Sequence, residues 1–404
     1  MNSNLVNTDS VVDMIFHLKW HSEAAIHTDV YQASRINIWR DHLPPVLAEG
    51  LLGKEAGERL LVPLKDGEAV AAFSDRKLFD IEGSRFDRRF KEGEITDPRQ
   101  GRFYPQGMLK GIAGVFRANI QPFRCIGLNN GHLTVDLNHP LAGRDLQVSV
   151  VIGKVSAKGV ERGGTSIDWM ETLTSGPGMQ TRWQMQPTDF FKGDALKRAD
   201  EQPDGLFYRK PRLVHHIDET ARDVVKNTYG RFLTDGMQVL DLMSSWQSHI
   251  PANLHLDGLV GLGLNENELR QNSQLNDFLV HDLNADPNLP FESNTFDAVV
   301  NTASVEYLTD PLTVFNEIER ILRPEGYFIV TFSNRWFPPK AVRVWRELHD
   351  FERMGLVLEY FLRADGFKNL QTYSIRGLPR PHDDKYFPEF MFSDPVYAVW
   401  GRKR

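Results

Sequence analysis

Apolar and polar residues alternate in two different rhythms along this chain, and the change of rhythm divides it. From about Val11 to Val155 the apolar runs are short, alternating and separated by Gly, Asp and Asn turns, which predicts β-strands. In the last of them Leu146, Val148, Val150 and Ile152 recur at period two and would share one face of a sheet. Between about Lys154 and Gly205 the residues turn to Gly, Ser, Thr, Pro and charge, with Gly163-Gly164, Ser175 to Gly178 and Asp200 to Asp204 as turn signals. A domain boundary is expected there.

From about Leu206 onward strand-like apolar runs alternate with amphipathic helical ones, the pattern of βα repeats around a parallel sheet. A first helix is predicted with Asp218 as N-cap, carrying Ala221, Val224, Val225 and Leu233. Buried strands are predicted over Gln238 to Met243, Leu259 to Leu264, Phe278 to Asp282, Phe296 to Thr302 and Tyr327 to Ser333. A helix over Leu312 to Leu322 places Phe315, Ile318 and Leu322 at helical spacing and stops at Arg323-Pro324-Glu325-Gly326. Pro395 to Arg404 reads as a final strand.

Composition narrows the class. A chain of 404 residues that is 41% hydrophobic and 25% charged can bury a core, which excludes a disordered or low-complexity protein. Its net charge of −7 offers no basic field, so neither nucleic acid nor an anionic membrane surface is an expected partner. The single cysteine, Cys125, cannot close an internal disulfide, no Cys/His spacing fits structural zinc, and no metal is expected. No stretch approaches eighteen apolar residues and the first residues lack a leader-type run, so the reading is a soluble cytoplasmic protein.

Ligands of an open α/β sheet gather outside the carboxyl ends of its strands, where the strand order reverses. Four such junctions follow in order: VLDLMSSWQSHIP from Val239, VGLGLNENELRQN from Val260, VHDLNADPNLPF from Val280 and FDAVVNTASVEYLTDP from Phe296. With the LPF, FD and LRPEG strings at their spacing, the chain from about Leu206 to Arg404 resembles the class I S-adenosylmethionine-dependent methyltransferases. That resemblance implies an α/β Rossmann-like seven-stranded domain with its last strand antiparallel, and S-adenosylmethionine as cofactor. By position, Asp241, Leu242, Met243, Ser244 and Ser245 would form the turn near the methionine amino group. Gly263, Leu264 and Asn265 would flank the ribose, Asp282 and Leu283 the adenine, and Asn301, Thr302, Ala303 and Val305 the wall under the methyl donor.

Two features depart from the pattern. Met243-Ser244-Ser245-Trp246 stand where the family carries a glycine-rich turn, and Gly263 stands where an acid usually holds the ribose hydroxyls. Asn265, Glu266 or Glu268 are the candidates to supply that contact from the adjoining turn. Where the acceptor must lose a proton, the candidate bases are His249 and the His215-His216 pair, because an imidazole titrates near neutrality. Glu306 and Tyr307 are candidate acceptor contacts, and the aromatic and basic run from Arg335 to Lys340 could close over an anionic or planar acceptor.

In the first half, VDLNHPLAG from Val135 and LPPVLAEGLLGKEAGERLLVPL from Leu43 resemble the FKBP-type peptidyl-prolyl isomerases, in particular the SlyD-like branch. This implies an α+β FKBP-like domain over residues 1–155 with an inserted β flap at about 71–138, a linker over 156–205 and the methyltransferase over 206–404. Tyr31, Leu43 and Leu47 would line the prolyl pocket. Lys65-Asp66-Gly67-Glu68 stand where the family closes that pocket with an aromatic, which puts isomerase activity in question. Phe103, Tyr104, Pro105, Met108 and Leu109 would either hold an extended peptide or form the insert's own core. The expectation is methyl transfer to a small-molecule or polypeptide acceptor that the first module recruits. Its alternative is a catalytically inactive chaperone-like or scaffold protein.

Overall fold

The computed structural model describes residues 5–92, 95–159 and 163–404. Residues 160–162 of the expected linker lie outside the described residues. The chain divides into two compact units, the first comprising Met1–Ala24, Thr28–Lys192 and His349–Gly355, the second Ala25–His27, Gly193–Leu348 and Leu356–Arg404. Of the eleven strands that make up the larger sheet structure among the described residues, seven lie in the C-terminal part. The count of seven predicted from the resemblance therefore describes that part alone.

In the first unit, β1 (Ser10–His21), β2 (Ile26–Asn37), α1 (Pro45–Leu51) and β3 (Arg59–Leu64) precede an insert of β4 (Leu78–Glu82), β5 (Phe103–Pro105), β6 (Pro122–Asn129) and β7 (His132–Asp136). After the insert come β8 (Leu146–Ala157) and α2 (Trp169–Thr174). Strand order is β2-β1-β8-β3, with β1 antiparallel to β8 and Phe16 opposite Val150. Alternation does what the period demands: Leu146, Val148, Val150 and Ile152 are all buried, against Leu47 and Leu51 of α1 and Trp169, Met170 and Leu173 of α2. Residues 163–192, inside the stretch read as a linker, thus contribute a helix to this core.

The insert forms its own antiparallel sheet, β4-β7-β6-β5, around Phe86, Tyr104, Met108, Leu109, Phe123, Cys125 and Val135. Tyr104, Met108 and Leu109 are spent on that core, which removes them from the expected peptide-holding cluster. Leu47 is fully buried, and Tyr31 and Leu43 pack against the same core. Leu47 is buried because α1 must cover one face to stay on its sheet, whereas Tyr31 on β2 and Leu43 before α1 are only partly buried.

The second unit carries α3 (Asp204–Phe207), α4 (Glu219–Tyr229), β9 (Gln238–Leu242), β10 (Gly258–Gly263), α5 (Glu266–Gln271), β11 (Asp277–Val280), β12 (Phe296–Thr302), α6 (Pro311–Ile321) and β13 (Leu322–Phe332). Beyond these lie α7 (Arg343–Glu347), α8 (Asp350–Ala364), whose residues up to Gly355 belong to the first unit, β14 (Phe367–Arg376) and β15 (Val396–Lys403). Strand order is β11-β10-β9-β12-β13-β15-β14, parallel except for β15, which runs antiparallel to both neighbours. Order reverses between β9 and β12, so a crevice opens at their carboxyl ends.

Asp218 caps α4 by accepting from the Ala221 amide, and Ala221, Val225 and Tyr229 are buried against Val239, Val300 and Ile329. Leu233 joins that core from beyond the helix end. On α6, Phe315 and Ile318 are buried, with the Phe315 ring 4.9 Å from Phe328. No helix among the described residues is long and apolar enough to cross a membrane.

Candidate active site

The carboxyl ends of β9, β10, β11 and β12 open on a cavity of about 1270 Å³, counted out to its mouth. Of the residues read as a site, Asp241, Met243, Ser244, Ser245, Gly263, Leu264, Asn265, Asp282, Leu283, Thr302, Ala303, Tyr307, His215 and His249 line it. Four do not. Leu242 and Val305 are buried apolar packing, and Glu306 is buried away from the cavity wall. Asn301 points into the sheet, where its amide donates to the Leu242 carbonyl and the Ser304 hydroxyl and braces β9 against β12. A period-two strand sends alternate residues to opposite faces, which is why Leu242 on β9 and Asn301 on β12 miss the cavity, while Val305 and Glu306 turn into the core from the short helical turn after β12.

Asp241 lies at the end of β9 with 3% of its surface exposed. Its Oδ2 accepts from the Ser244 hydroxyl at 2.5 Å, and the Ser248 hydroxyl is its other partner. Burial outweighs these hydrogen bonds and pushes the carboxyl up to about 7. Directly after the strand Met243 takes a left-handed φ of +58°, a conformation that glycine adopts at no cost. This turn carries Ser244 across the end of β10, where the Ser244 amide donates to the Leu262 carbonyl at 2.7 Å.

Gly263 and Glu268 form the next part of the wall. A Cβ on Gly263 would stand 2.2 Å from the Ser244 carbonyl oxygen, so no acid can occupy that position with this backbone. Glu268, one turn into α5, reaches back instead. One carboxylate oxygen accepts from the Arg212 amide and the other from the Ser245 hydroxyl, each at 2.6 Å. Asn265 caps α5 through its Oδ1 and donates its amide to the Tyr208 carbonyl, so it is occupied by the fold. At the end of β11, Asp282 accepts from the Asn284 and Ala285 amides through Oδ1, beside the buried Leu283.

Sequence reasoning missed the segment before α4. Asp204, Tyr208 and Arg212 line the cavity from residues far from any strand end, and only the structure brings them there. Asp204 is held by Arg198 at 2.7 Å and by the fully buried Lys340 at 3.1 Å, while Asn284 donates to both Asp204 and the Tyr307 carbonyl. The Arg212 guanidinium lies 4.5 Å from the Phe207 ring centre and 5.2 Å from that of Phe337. His281, Asn284 and Ser304 line the wall as well.

At the rim, His215 and Trp246 pack ring to ring at 4.7 Å, and His216 meets Phe337 edge-on at 5.1 Å. Burial and the neighbouring Arg222 depress His249 to about 4, and burial lowers His215 and His216 as well. All three imidazoles are thereby shifted toward the neutral form, His249 the furthest. Tyr307 accepts from the Phe337 amide through its hydroxyl, and burial holds its phenol protonated. With Asp204 already paired, the cavity presents Asp241, Asp282 and Glu268 as acids between apolar walls. This donor set fits a cation joined to a polyhydroxylated, flat ligand.

Residues 252–330 match the family model described as a methyltransferase domain. No curated protein matches the chain. Among solved structures, the complex of the Haloferax volcanii methyltransferase activator Trm112 with its methyltransferase is 20% identical, covers 45% of this chain and 89% of its own, and has a TM-score of 0.35. A SAM-dependent methyltransferase from Aquifex aeolicus is 17% identical over 47% of this chain and 92% of its own, at a TM-score of 0.31. An S-adenosylmethionine-dependent methyltransferase from Mesorhizobium loti is 15% identical over 42% and 92%, at 0.28. The match gives the chain a methyltransferase domain over residues 252–330, a stretch that contains the ends of β10, β11 and β12 on the cavity, and S-adenosylmethionine is the methyl donor such a domain implies.

Proposed function

We propose that this chain transfers a methyl group from S-adenosylmethionine, held in the cavity at the β9 to β12 ends, to an acceptor that enters past His215, His216, Trp246 and Phe337. The single observation that carries the placement is Asp241: a buried carboxyl whose partners are hydroxyls, at the point of strand-order reversal. Such a group gains most from a cationic ligand, because burial has raised the cost of its own charge. Asp241 would hold the amino group of the donor, Glu268 the ribose hydroxyls in place of the acid excluded at residue 263, and Asp282 with Leu283 the adenine.

When bound, S-adenosylmethionine supplies an electrophilic methyl on a sulfonium. The chain's own work is alignment and exclusion of water. Trp246, Phe337, Leu264 and Leu283 give apolar walls, and a neutral His215 takes the proton from an acceptor that must lose one, His249 at about 4 being too weak a base for that role near neutral pH. The acceptor is a small molecule or a polypeptide side chain.

For the first unit we propose an FKBP-like binding module rather than an isomerase. Supporting this are the order β2-β1-β8-β3 with α1 upon it and a separate four-stranded sheet inserted between β3 and β8. Burial of Leu47 argues against an open prolyl site. Calorimetric titration of the whole protein with S-adenosylmethionine tests the main reading: saturable heat that Asp241→Asn removes supports it, and no heat at millimolar ligand overturns it.

A further inference from the structure

A second cavity, of about 570 Å³ counted out to its mouth, lies in the first unit and shares no lining residue with the first. Its lining joins the inserted sheet to the segment after α2: Phe73, Phe103, Arg124, Asp136, Arg144, Arg182 and Trp183 are the residues that matter, with Glu23 at the edge. Arg124 is the unusual one. Only 6% of it is exposed, one guanidinium nitrogen donates to the Thr181 carbonyl at 2.8 Å, and its Nε has no hydrogen-bond partner among the described residues. A buried guanidinium is costly to desolvate, so a protein that places one against a cavity has a use for it.

Aromatic faces surround this donor. The Arg124 guanidinium lies 4.1 Å from the centre of Phe103 and 5.9 Å from that of Trp183, and Phe73 packs on Trp183 at 6.3 Å. Arg144 is partly engaged, donating to the His21 carbonyl and facing Glu23 at 3.7 Å. Asp136 spends one oxygen on the amide groups of Asn138. Lining the cavity are three guanidinium groups against two carboxylates, with His139 depressed to about 4 by burial and therefore neutral. Burial has also lowered Arg124 itself to about 10, so an anion brought beside it would strengthen its charged form.

We propose that this cavity binds a carboxylate carried on a flat apolar ring, with Arg124 pairing the carboxylate and Phe73 and Trp183 flanking the ring. Two sources share this chemistry, a free aromatic acid and the terminal carboxylate of a peptide ending in an aromatic residue.

Full-length protein is titrated with benzoate and with its neutral isostere benzamide, following the indole ¹H–¹⁵N resonance of Trp183, assigned through Trp183→Phe. Benzoate is expected to shift that resonance saturably at about tenfold lower concentration than benzamide, and Arg124→Met to abolish the preference. Replacing benzoate by a dipeptide ending in Phe, as free acid and as amide, separates the sources: the free-acid arm that saturates at the lower concentration names the ligand class. Should Arg124→Met fail to fold by circular dichroism, Phe73→Ala at the exposed wall is expected to weaken benzoate severalfold. Equal response to benzoate and benzamide in the wild type, or an unchanged preference in a folded Arg124 or Phe73 variant, overturns the proposal.

Discussion

The carbonyl oxygen of Ser244 stands 2.2 Å from where a Cβ of Gly263 would be. This contact makes the absence of an acid after β10 a consequence of the turn after β9: the left-handed Met243 swings Ser244 over the strand end, and only glycine fits beneath it. Loss of one contact and gain of another are thus one event. Glu268 takes over from the next helix, with the Ser245 hydroxyl and the Arg212 amide holding it in place.

Restoring the acid should therefore harm the protein. Gly263→Asp is expected to lower stability by about 1 to 3 kcal/mol through overpacking against backbone, and to weaken donor binding rather than improve it. Glu268→Gln, which keeps the shape, is expected to weaken S-adenosylmethionine by roughly ten- to a hundredfold, the worth of a charge-assisted hydrogen bond or two. Thermal unfolding and calorimetry check the pair. A Gly263→Asp protein that binds the donor more tightly than wild type would contradict the exchange.

Met243 gives a test of the turn itself. At φ +58° a β-branched residue is strained far more than Met, whereas glycine is not strained at all. Met243→Val should cost about 1 to 2 kcal/mol. Met243→Gly should fall within about 1 kcal/mol of wild type, relief of strain being offset by greater freedom of the unfolded chain. Denaturant midpoints of the three proteins check this order.

Much of this unit was legible in the sequence because its signals are local. The strand Phe296–Thr302 and the Asp218 cap stand where pattern and capping chemistry placed them, and α6 begins one residue earlier than read. Asp241 was legible as a polar residue ending a buried strand; Asp282 was read the same way, but β11 is an exposed edge strand, with Leu279 and Val280 exposed, and stops at Val280. What stayed hidden depends on contacts between distant residues. Arg212 meets Glu268 across 56 positions, and Asp204 meets Lys340 through folding alone. No spacing rule shows that Asn301 turns inward, or that Gly263 is glycine because of a carbonyl from another loop. α8 carries Asp350, Glu352, Arg353, Glu359 and Arg363 among its apolar residues and is buried throughout Phe351–Tyr360, and β14 carries Lys368, Asn369 and Gln371 among its own, so the pattern alone places neither.

Asp241 ties stability and ligand affinity to pH. Its ordinary value is 3.8, and burial raises it to about 7 in the folded chain. Between those values the folded state holds a proton that the unfolded state has lost, so this group's contribution to stability falls as pH rises from about 4 to 7 and stays lost above. The full loss is on the order of 4 kcal/mol. His139 and His249, both depressed to about 4, act in the opposite direction between 4 and 6.5, so the readout is the difference between wild type and Asp241→Asn. Asp241→Asn should be the more stable protein at pH 8 and lose that advantage by pH 4. Affinity of the wild type for a cationic donor should rise with pH up to about 7 and then level, with proton release visible as heat that varies with the buffer. A buffer-independent heat at pH 6 would separate Asp241 from the ligand.

Lys340 probes how the segment before α4 is held on the cavity. Its ammonium is fully buried, pairs with Asp200 at 3.2 Å and Asp204 at 3.1 Å, and donates to the Gln202 carbonyl at 2.7 Å. Asp204 also binds Arg198 and Asn284, and Asn284 in turn holds the loop after β12. Removing one partner of a buried ionic cluster leaves the remaining charges under-compensated, so Lys340→Met should cost about 3 to 5 kcal/mol, eased by the Arg198 that still faces Asp204. Because Asp204, Tyr208 and Arg212 reach the cavity along this one segment, the same variant should weaken S-adenosylmethionine at a temperature where the protein is still folded. Lys340→Arg keeps the charge and should recover part of both losses. Unchanged affinity in a folded Lys340→Met protein would show that the segment is positioned by Phe207, Tyr208 and their ring contacts with Phe337 alone.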